Sequence, residues 1–86
     1  MNLRPMELRD TIDMMQSDDY KERFKAEYYQ VGIRYEKLKT MLERLDGGEL
    51  QFKPTCPRMI YSLQLANMKG YLDVLKVRAE AENIKL

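Results

Sequence analysis

Apolar side chains recur at alternating steps of four and three residues along two long stretches of the chain, a spacing typical of helices that pack side by side. The first seam contains Phe24, Tyr28, Val31, Tyr35, Leu38, Leu42 and Leu45, and the second contains Tyr61, Leu65, Met68, Leu72, Leu75 and Ala79. Between them stand Gly47, Gly48, Pro54 and Pro57, residues that interrupt helices. We therefore predict helices over residues 18–45 and 57–82 that pack as an antiparallel hairpin.

A shorter helix is predicted ahead of the hairpin, over residues 6–16. Pro5 suits its first turn, and Ser17 is the predicted N-cap of the helix that follows. With 86 residues the chain has room for one domain. The predicted fold class is therefore all-α, a short N-terminal helix plus a long antiparallel helical hairpin, in a single domain over residues 1–86.

The third helix carries a second apolar stripe, on the side away from its seam. Its members are Ile60, Leu63, Asn67, Gly70, Val74, Val77 and Ala81. The short N-terminal helix spans about 17 Å and the stripe about 32 Å, so one cannot cover the other. On the second helix Ala26, Tyr29 and Ile33 also point away from the main seam. We expect a homo-oligomeric helical bundle, in which glycine permits close approach and asparagine fixes register. The alternative is a monomeric three-helix bundle in which the short helix and the connector wrap this face.

Several functions are excluded by composition. The chain has no histidine and one cysteine, Cys56, which removes Cys/His zinc sites, histidine-assisted nucleophiles and an intrachain disulfide. Fifteen basic residues balance fourteen acidic ones, unlike a dedicated duplex-DNA binder, so nucleic acid is an unlikely partner. No apolar run approaches the roughly 20 residues of a bilayer helix. We predict a cytoplasmic protein that is not an enzyme and holds no metal or cofactor.

Two groups of residues are candidates for binding a phosphate-bearing ligand. Early in the second helix, basic side chains including Arg23 alternate with aromatic rings including Tyr20 and Tyr29, a combination that suits a nucleotide. The alternative is a solvated charged face beside core aromatics. The other group is Lys53, Thr55 and Arg58, at the predicted start of the third helix, where backbone N–H groups favour an anion. A capped helix start with Phe52 folded onto the core is the competing interpretation.

Part of the chain resembles a known group of proteins. The residues that carry the resemblance are the run from Asp19 to Tyr28, its continuation from Arg34 to Leu38, and the later pattern of Gln64, Leu65, Met68, Tyr71, Leu72, Val74, Leu75 and Arg78. Over roughly residues 18–80 the chain resembles small helical proteins of crAss-like phages and Firmicutes prophages. The resemblance implies a phage accessory protein acting in the bacterial host. In size and helical build it is also similar to phage sponges, which sequester cyclic nucleotide immune signals in pockets between subunits.

These observations lead to two functional hypotheses. The first is a non-enzymatic, homo-oligomeric sponge for a cyclic or other phosphate-bearing nucleotide. In this hypothesis the phosphate is bound by Arg23, Lys53, Thr55 and Arg58. The base stacks on Tyr20 or Tyr29. The alternative is a protein–protein adaptor or inhibitor that offers its second apolar stripe to another helix. A third and weaker hypothesis is binding of RNA or single strands by the basic second helix.

Overall fold

The computed structural model describes residues 6–86 and is helical throughout its regular elements. A 3-10 turn over Leu8–Thr11 leads into α1 (Ile12–Met15), followed by α2 (Tyr20–Asp46) and α3 (Arg58–Ala81). The predicted hairpin is confirmed, with helix ends within two residues of those expected. No described helix combines the length and the apolar character that crossing a bilayer requires.

The two long helices run antiparallel. The start of α2 meets the end of α3, where Tyr20 bonds to Glu82, and the end of α2 meets the start of α3, where Asp46 pairs with Arg58. Their seams form the core predicted from the heptad spacing. Its buried cluster consists of Phe24, Tyr28, Leu72, Leu75, Ala79 and Ile84, with Tyr29, Val31 and Tyr35 packed against it.

Both long helices end in the same backbone motif. In α2, Gly48 adopts a left-handed φ of 72°, and the Glu49 N–H returns to the Arg44 carbonyl at 2.8 Å. In α3, Asn83 takes φ 57° and the Ile84 N–H returns to the Ala79 carbonyl at 2.8 Å. This is the Schellman arrangement, which satisfies carbonyls left open at a helix end. At the end of α3 it also folds Ile84 back into the core.

The N-terminal segment differs from its prediction. The expected helix over 6–16 is a 3-10 turn and a single α-helical turn, and Pro5 lies outside the described residues. Ser17 is not the N-cap of α2. That position belongs to Asp19, whose carboxylate accepts the Lys21 N–H at 2.9 Å, while the Ser17 hydroxyl accepts the Asp19 N–H. The Asp19 carboxylate thus makes the helix-starting contact that the sequence assigned to serine.

The N-terminal segment packs on α2 and, among residues 6–86, does not contact α3. The buried Thr11 hydroxyl accepts a hydrogen bond from Gln30 at 2.9 Å and donates to the Leu8 carbonyl at 2.7 Å. Ala26 and Ile33, on the same face of α2 as Gln30, are buried. The sequence placed these two residues away from the main seam, on a face with no predicted partner, and that expectation of an open face was wrong because the N-terminal segment covers it. The stripe on α3 is left uncovered, so the N-terminal segment does not wrap it as the monomeric alternative required.

Candidate functional site

The predicted ligand residues fall into two groups at opposite ends of the hairpin. Tyr20 and Arg23 lie at the start of α2, whereas Lys53, Thr55 and Arg58 lie at or beside the start of α3, next to the end of α2. At about 1.5 Å per residue, the ends of α2 are about 39 Å apart. One small ligand cannot contact both groups of the same chain.

At the first end, Tyr20 belongs to a bonded cluster with Arg78 and Glu82. The Tyr20 hydroxyl donates to Glu82 Oε1 at 2.7 Å and accepts from Arg78 Nη2 at 2.9 Å. The same guanidinium lies 4.8 Å from the Phe24 ring centroid, a cation–π contact. The hydrogen bond to Glu82 raises the pKa of the Tyr20 phenol and lowers the pKa of the Glu82 carboxyl. We call Tyr20, Arg78 and Glu82 the Tyr20 cluster.

Arg23 and Tyr29 lie outside the Tyr20 cluster. Arg23 is exposed, and its Nη1 donates to the Ser17 carbonyl at 2.8 Å, which ties the N-terminal segment to α2. Tyr29 is half-buried, with its ring edge-on to Tyr28 at a centroid distance of 5.5 Å. Arg23 therefore keeps donors available for a ligand, whereas Tyr29 is largely engaged in packing. Their role in binding stays a prediction.

At the second end, Arg58 is held by its own chain. Its Nε and Nη2 donate to the two carboxylate oxygens of Asp46 at 2.9 Å each, and Nη1 donates to Ser62 Oγ at 2.7 Å. The paired guanidinium lowers the pKa of Asp46. Bidentate geometry makes this a strong pairing that fixes the connector to α2. Arg58 therefore holds the connector in place more than it offers free charge to a ligand.

The rest of the connector is open to solvent. Lys53 and Thr55 are exposed, and Pro57, the N-cap residue of α3, provides no side-chain cap. Phe52 is 60% exposed and does not fold onto the core, contrary to the competing interpretation. Cys56 is partly buried, and its thiol faces the Pro57 carbonyl at 3.6 Å. This end of the molecule thus presents an aromatic ring, a lysine and a helix start without a side-chain cap.

A groove of about 430 Å³ runs between this connector and the second half of α2. Its lining consists of Glu36, Lys37, Thr40, Met41, Arg44, Leu50 and Phe52. Lys37 pairs with Glu7 at 3.2 Å, while Arg44 has no ion-pair partner among residues 6–86. Sequence reasoning missed this groove. The available signal was the seven-residue spacing of Lys37 and Arg44, which places both on one face of α2.

The stripe on α3 is the other open feature. Ile60, Leu63, Val74 and Val77 are between 50% and 66% exposed. A shallow groove of about 390 Å³ crosses the stripe beside Asn67 and Tyr71. A Cβ atom placed on Gly70 would meet nothing within 4 Å. The expected second face exists and is uncovered among the described residues.

Cys, Asp and Glu side chains within residues 6–86 nowhere gather in the groups of three or more that would hold a metal ion. The shifted pKa values belong to groups in ion pairs or hydrogen bonds, together with the buried Tyr28. Structural pairing and burial account for these shifts.

Comparison with known proteins identifies a family. Residues 18–81 match the profile of the Sequestin family, a span that contains α2, the connector and α3 and leaves out the N-terminal segment. Neither the curated proteins nor the solved structures contain a significant match. Because the matched span covers well over half of the sequence, the chain belongs to the Sequestin family.

Proposed function

We propose that this protein is a non-enzymatic homo-oligomer that sequesters a phosphate-bearing nucleotide, with cyclic nucleotides as the preferred ligand class. The family's name denotes the holding of a ligand and supports a binding role over a catalytic one. The resemblance to small phage proteins supports the same assignment. The proposal places the site at the connector end of the hairpin.

The observation that carries the proposal is the groove between the connector and α2. Its volume of about 430 Å³ falls within the usual range for small-molecule sites. Phe52 supplies an exposed aromatic face on which a base can stack, a contact worth about 1–3 kcal/mol. Lys37 and Arg44 supply two cations on one side, and the Thr40 hydroxyl lies between them in sequence. Base stacking and phosphate pairing are thus available in a single groove.

The neighbouring connector residues extend this site. Lys53 and Thr55 are exposed beside the start of α3, whose first N–H groups have no side-chain cap. A helix N-terminus attracts a phosphate through its dipole and its free donors. Arg58 keeps the connector in place through Asp46. We assign Phe52 to the base, Arg44 and Lys53 to phosphate, and Lys37 to phosphate after release from Glu7.

Calorimetry and thermal-shift measurements with a panel of cyclic di- and trinucleotides test the proposal. A ligand that binds the native state raises its melting temperature in proportion to the logarithm of concentration over Kd. Phe52→Ala and Arg44→Ala should each weaken binding by tenfold or more. Lys39→Ala, which removes one exposed cation that lines a different groove between α2 and α3, is the matched control and should bind normally. Equal affinity in all three variants would remove the groove from the site.

The biological setting is infection of a bacterium. The protein acts as a phage or prophage accessory protein in the cytoplasm of the bacterial host and lowers the free concentration of an immune signal. Expression in a bacterium with a cyclic-nucleotide-signalled defence should raise phage plaque counts. Phe52→Ala should abolish the rise at equal protein level. No rise with the wild-type chain against any such defence would contradict the anti-defence role.

A second candidate function is favoured by the uncovered stripe on α3. An amphipathic helix from another protein could dock along Leu63 and Val74, which makes the chain an adaptor or inhibitor. Sedimentation distinguishes the homo-oligomeric sponge from the adaptor. A stable oligomer that buries these residues removes the adaptor's binding surface, whereas a monomer at high concentration favours the adaptor.

A further inference from the structure

The uncovered stripe on α3 has a symmetry that its exposure alone does not reveal. Ile60 and Val77 lie equally far from the point midway between Met68 and Lys69. Leu63 and Val74 are also equidistant from that midpoint, and so are Asn67 and Gly70. A two-fold interface requires a surface that is complementary to itself when turned by half a rotation. A stripe that is symmetric about its own midpoint meets this condition in the antiparallel direction.

We propose that a second copy of this chain covers the stripe, with the two α3 helices antiparallel, and that the partner completes the ligand site at each end. The second part rests on the proposed function. In this register Leu63 packs on the partner's Val74 and Ile60 on the partner's Val77. The alternating three- and four-residue steps place these positions in the same layers of an antiparallel coiled coil.

The centre of the interface is matched in size. Asn67 lies opposite the partner's Gly70, where open space around the glycine accommodates the amide. The same pairing occurs twice, once on each side of the axis. In a parallel pair, glycine would instead face glycine and leave a gap beside two facing asparagines. Close packing at the centre therefore favours the antiparallel direction.

Charge also favours the antiparallel direction. Residues 53–68 carry two basic and no acidic side chains, whereas residues 69–84 carry three of each. Antiparallel packing sets the basic half beside the neutral half, and parallel packing would set the two basic halves together. Along the edges, Asp73 lies level with the partner's Gln64 and Tyr71 lies level with the partner's Ala66, so like charges do not meet at these positions. The Tyr71 hydroxyl is already held by Glu27 of α2, which orients the ring at the stripe's edge.

This packing joins the two groups of ligand residues that one chain holds about 39 Å apart. At each end of the interface, Met59 lies level with the partner's Arg78, so the start of α3 and the connector before it lie beside the end of the partner's α3. With interaxial distances of about 8–10 Å, the partner's Tyr20 cluster borders the connector. Each dimer then contains two sites, and each site combines Lys53 and Thr55 of one copy with the partner's Arg78.

Cross-linking tests the register. In a Cys56→Ser background, Leu63→Cys and Val74→Cys are prepared separately and then oxidised alone or as an equal mixture. A disulfide needs Cα atoms within about 7 Å. We expect little product from either variant alone and a covalent dimer from the mixture. Self-linked dimers from Leu63→Cys alone, or no product in the mixture, would overturn the register.

Ligand binding tests the shared site. Leu63→Glu should convert the dimer to a monomer with unchanged helicity, because Leu63 is 55% exposed in the single chain. Its affinity for a nucleotide that binds the wild type should fall by tenfold or more. Ile12→Glu adds the same charge at another exposed aliphatic residue, in α1, which does not contact α3, and should leave both properties unchanged. Full affinity in the Leu63→Glu monomer, or in a chain that never dimerises, would overturn the shared site.

The outcomes separate the two proposals. A cross-linked antiparallel dimer that binds no nucleotide contradicts the proposed function and leaves the interface standing. Nucleotide binding by a chain without the 63–74 cross-link supports the proposed function and contradicts the interface. If Leu63→Glu fails to fold, the disulfide-linked mixture still decides the register.

Discussion

Two glycines should respond oppositely to the same substitution. Gly70 lies inside α3 without a positive φ, and a Cβ there would meet nothing within 4 Å. Alanine therefore removes backbone entropy from the unfolded chain and strains nothing, which stabilises an exposed helical position by about 0.5–1 kcal/mol. For a chain of this size, that gain raises Tm by roughly 2–8 °C.

Gly48→Ala is the matched control. Its surroundings are equally open, but its φ of 72° is a conformation that costs a side-chain-bearing residue about 1–2 kcal/mol. We therefore expect a lower Tm for Gly48→Ala and a higher one for Gly70→Ala. Circular dichroism melts, at a protein concentration at which sedimentation shows monomer, measure both effects.

The sign at Gly70 also depends on protein concentration if the proposed dimer forms. The added methyl group would then face the partner's Asn67 and weaken self-association, which sedimentation equilibrium measures. A lower Tm for Gly70→Ala in dilute solution would refute the reasoning, because it would mean that the space around Gly70 is occupied within the single chain.

Further predictions concern the core, a buried hydroxyl and an ion pair. Leu75→Ala, at a position 1% exposed, should lower the free energy of unfolding by about 2–5 kcal/mol in urea titrations, whereas Val77→Ala in dilute solution should change it by at most about 0.5 kcal/mol. Thr11→Val loses both hydrogen bonds of a buried hydroxyl and should cost about 1–3 kcal/mol, with faster hydrogen exchange in the N-terminal segment. Because Arg58 lowers the pKa of Asp46 in the folded state, their pairing stabilises the fold above the unfolded pKa of about 3.9 and is lost as pH falls through the lower folded value. Asp46→Asn should therefore reduce the acid-induced fall in stability below about pH 4, and an unchanged pH profile would contradict the pairing.

The hairpin could be predicted from the sequence because the apolar residues that form its core recur at a regular spacing. Leu72 and Leu75 recur with their seam partners at heptad spacing, and Gly48 marks the end of α2 with a residue suited to positive φ. These signals depend on neighbours within two turns of a helix. They require no knowledge of distant contacts.

The parts that were missed depend on contacts between distant residues. Ala26 and Ile33 seemed to leave α2 with a second open face, and only the placement of the N-terminal segment shows that they are buried. Asn83 ends α3 without glycine, so the return of Ile84 to the core has no strong local signal.

The candidate site illustrates the same limit. Lys53 and Thr55 were identified from the helix start that follows them, which is a local feature. The pairing of Arg58 with Asp46 spans the connector, and the groove beside Phe52 forms only when that connector folds along α2. The sequence shows that Arg58 is charged, but it does not show that the Asp46 carboxylate pairs with that charge.

Calorimetric titration of the purified chain with cyclic di- and trinucleotides tests the central claim most directly. The account predicts saturable binding of at least one member, with one ligand per chain and a tenfold or greater loss of affinity in Phe52→Ala. The absence of binding by every member at about 1 mM ligand, a concentration that detects even weak complexes, would contradict it.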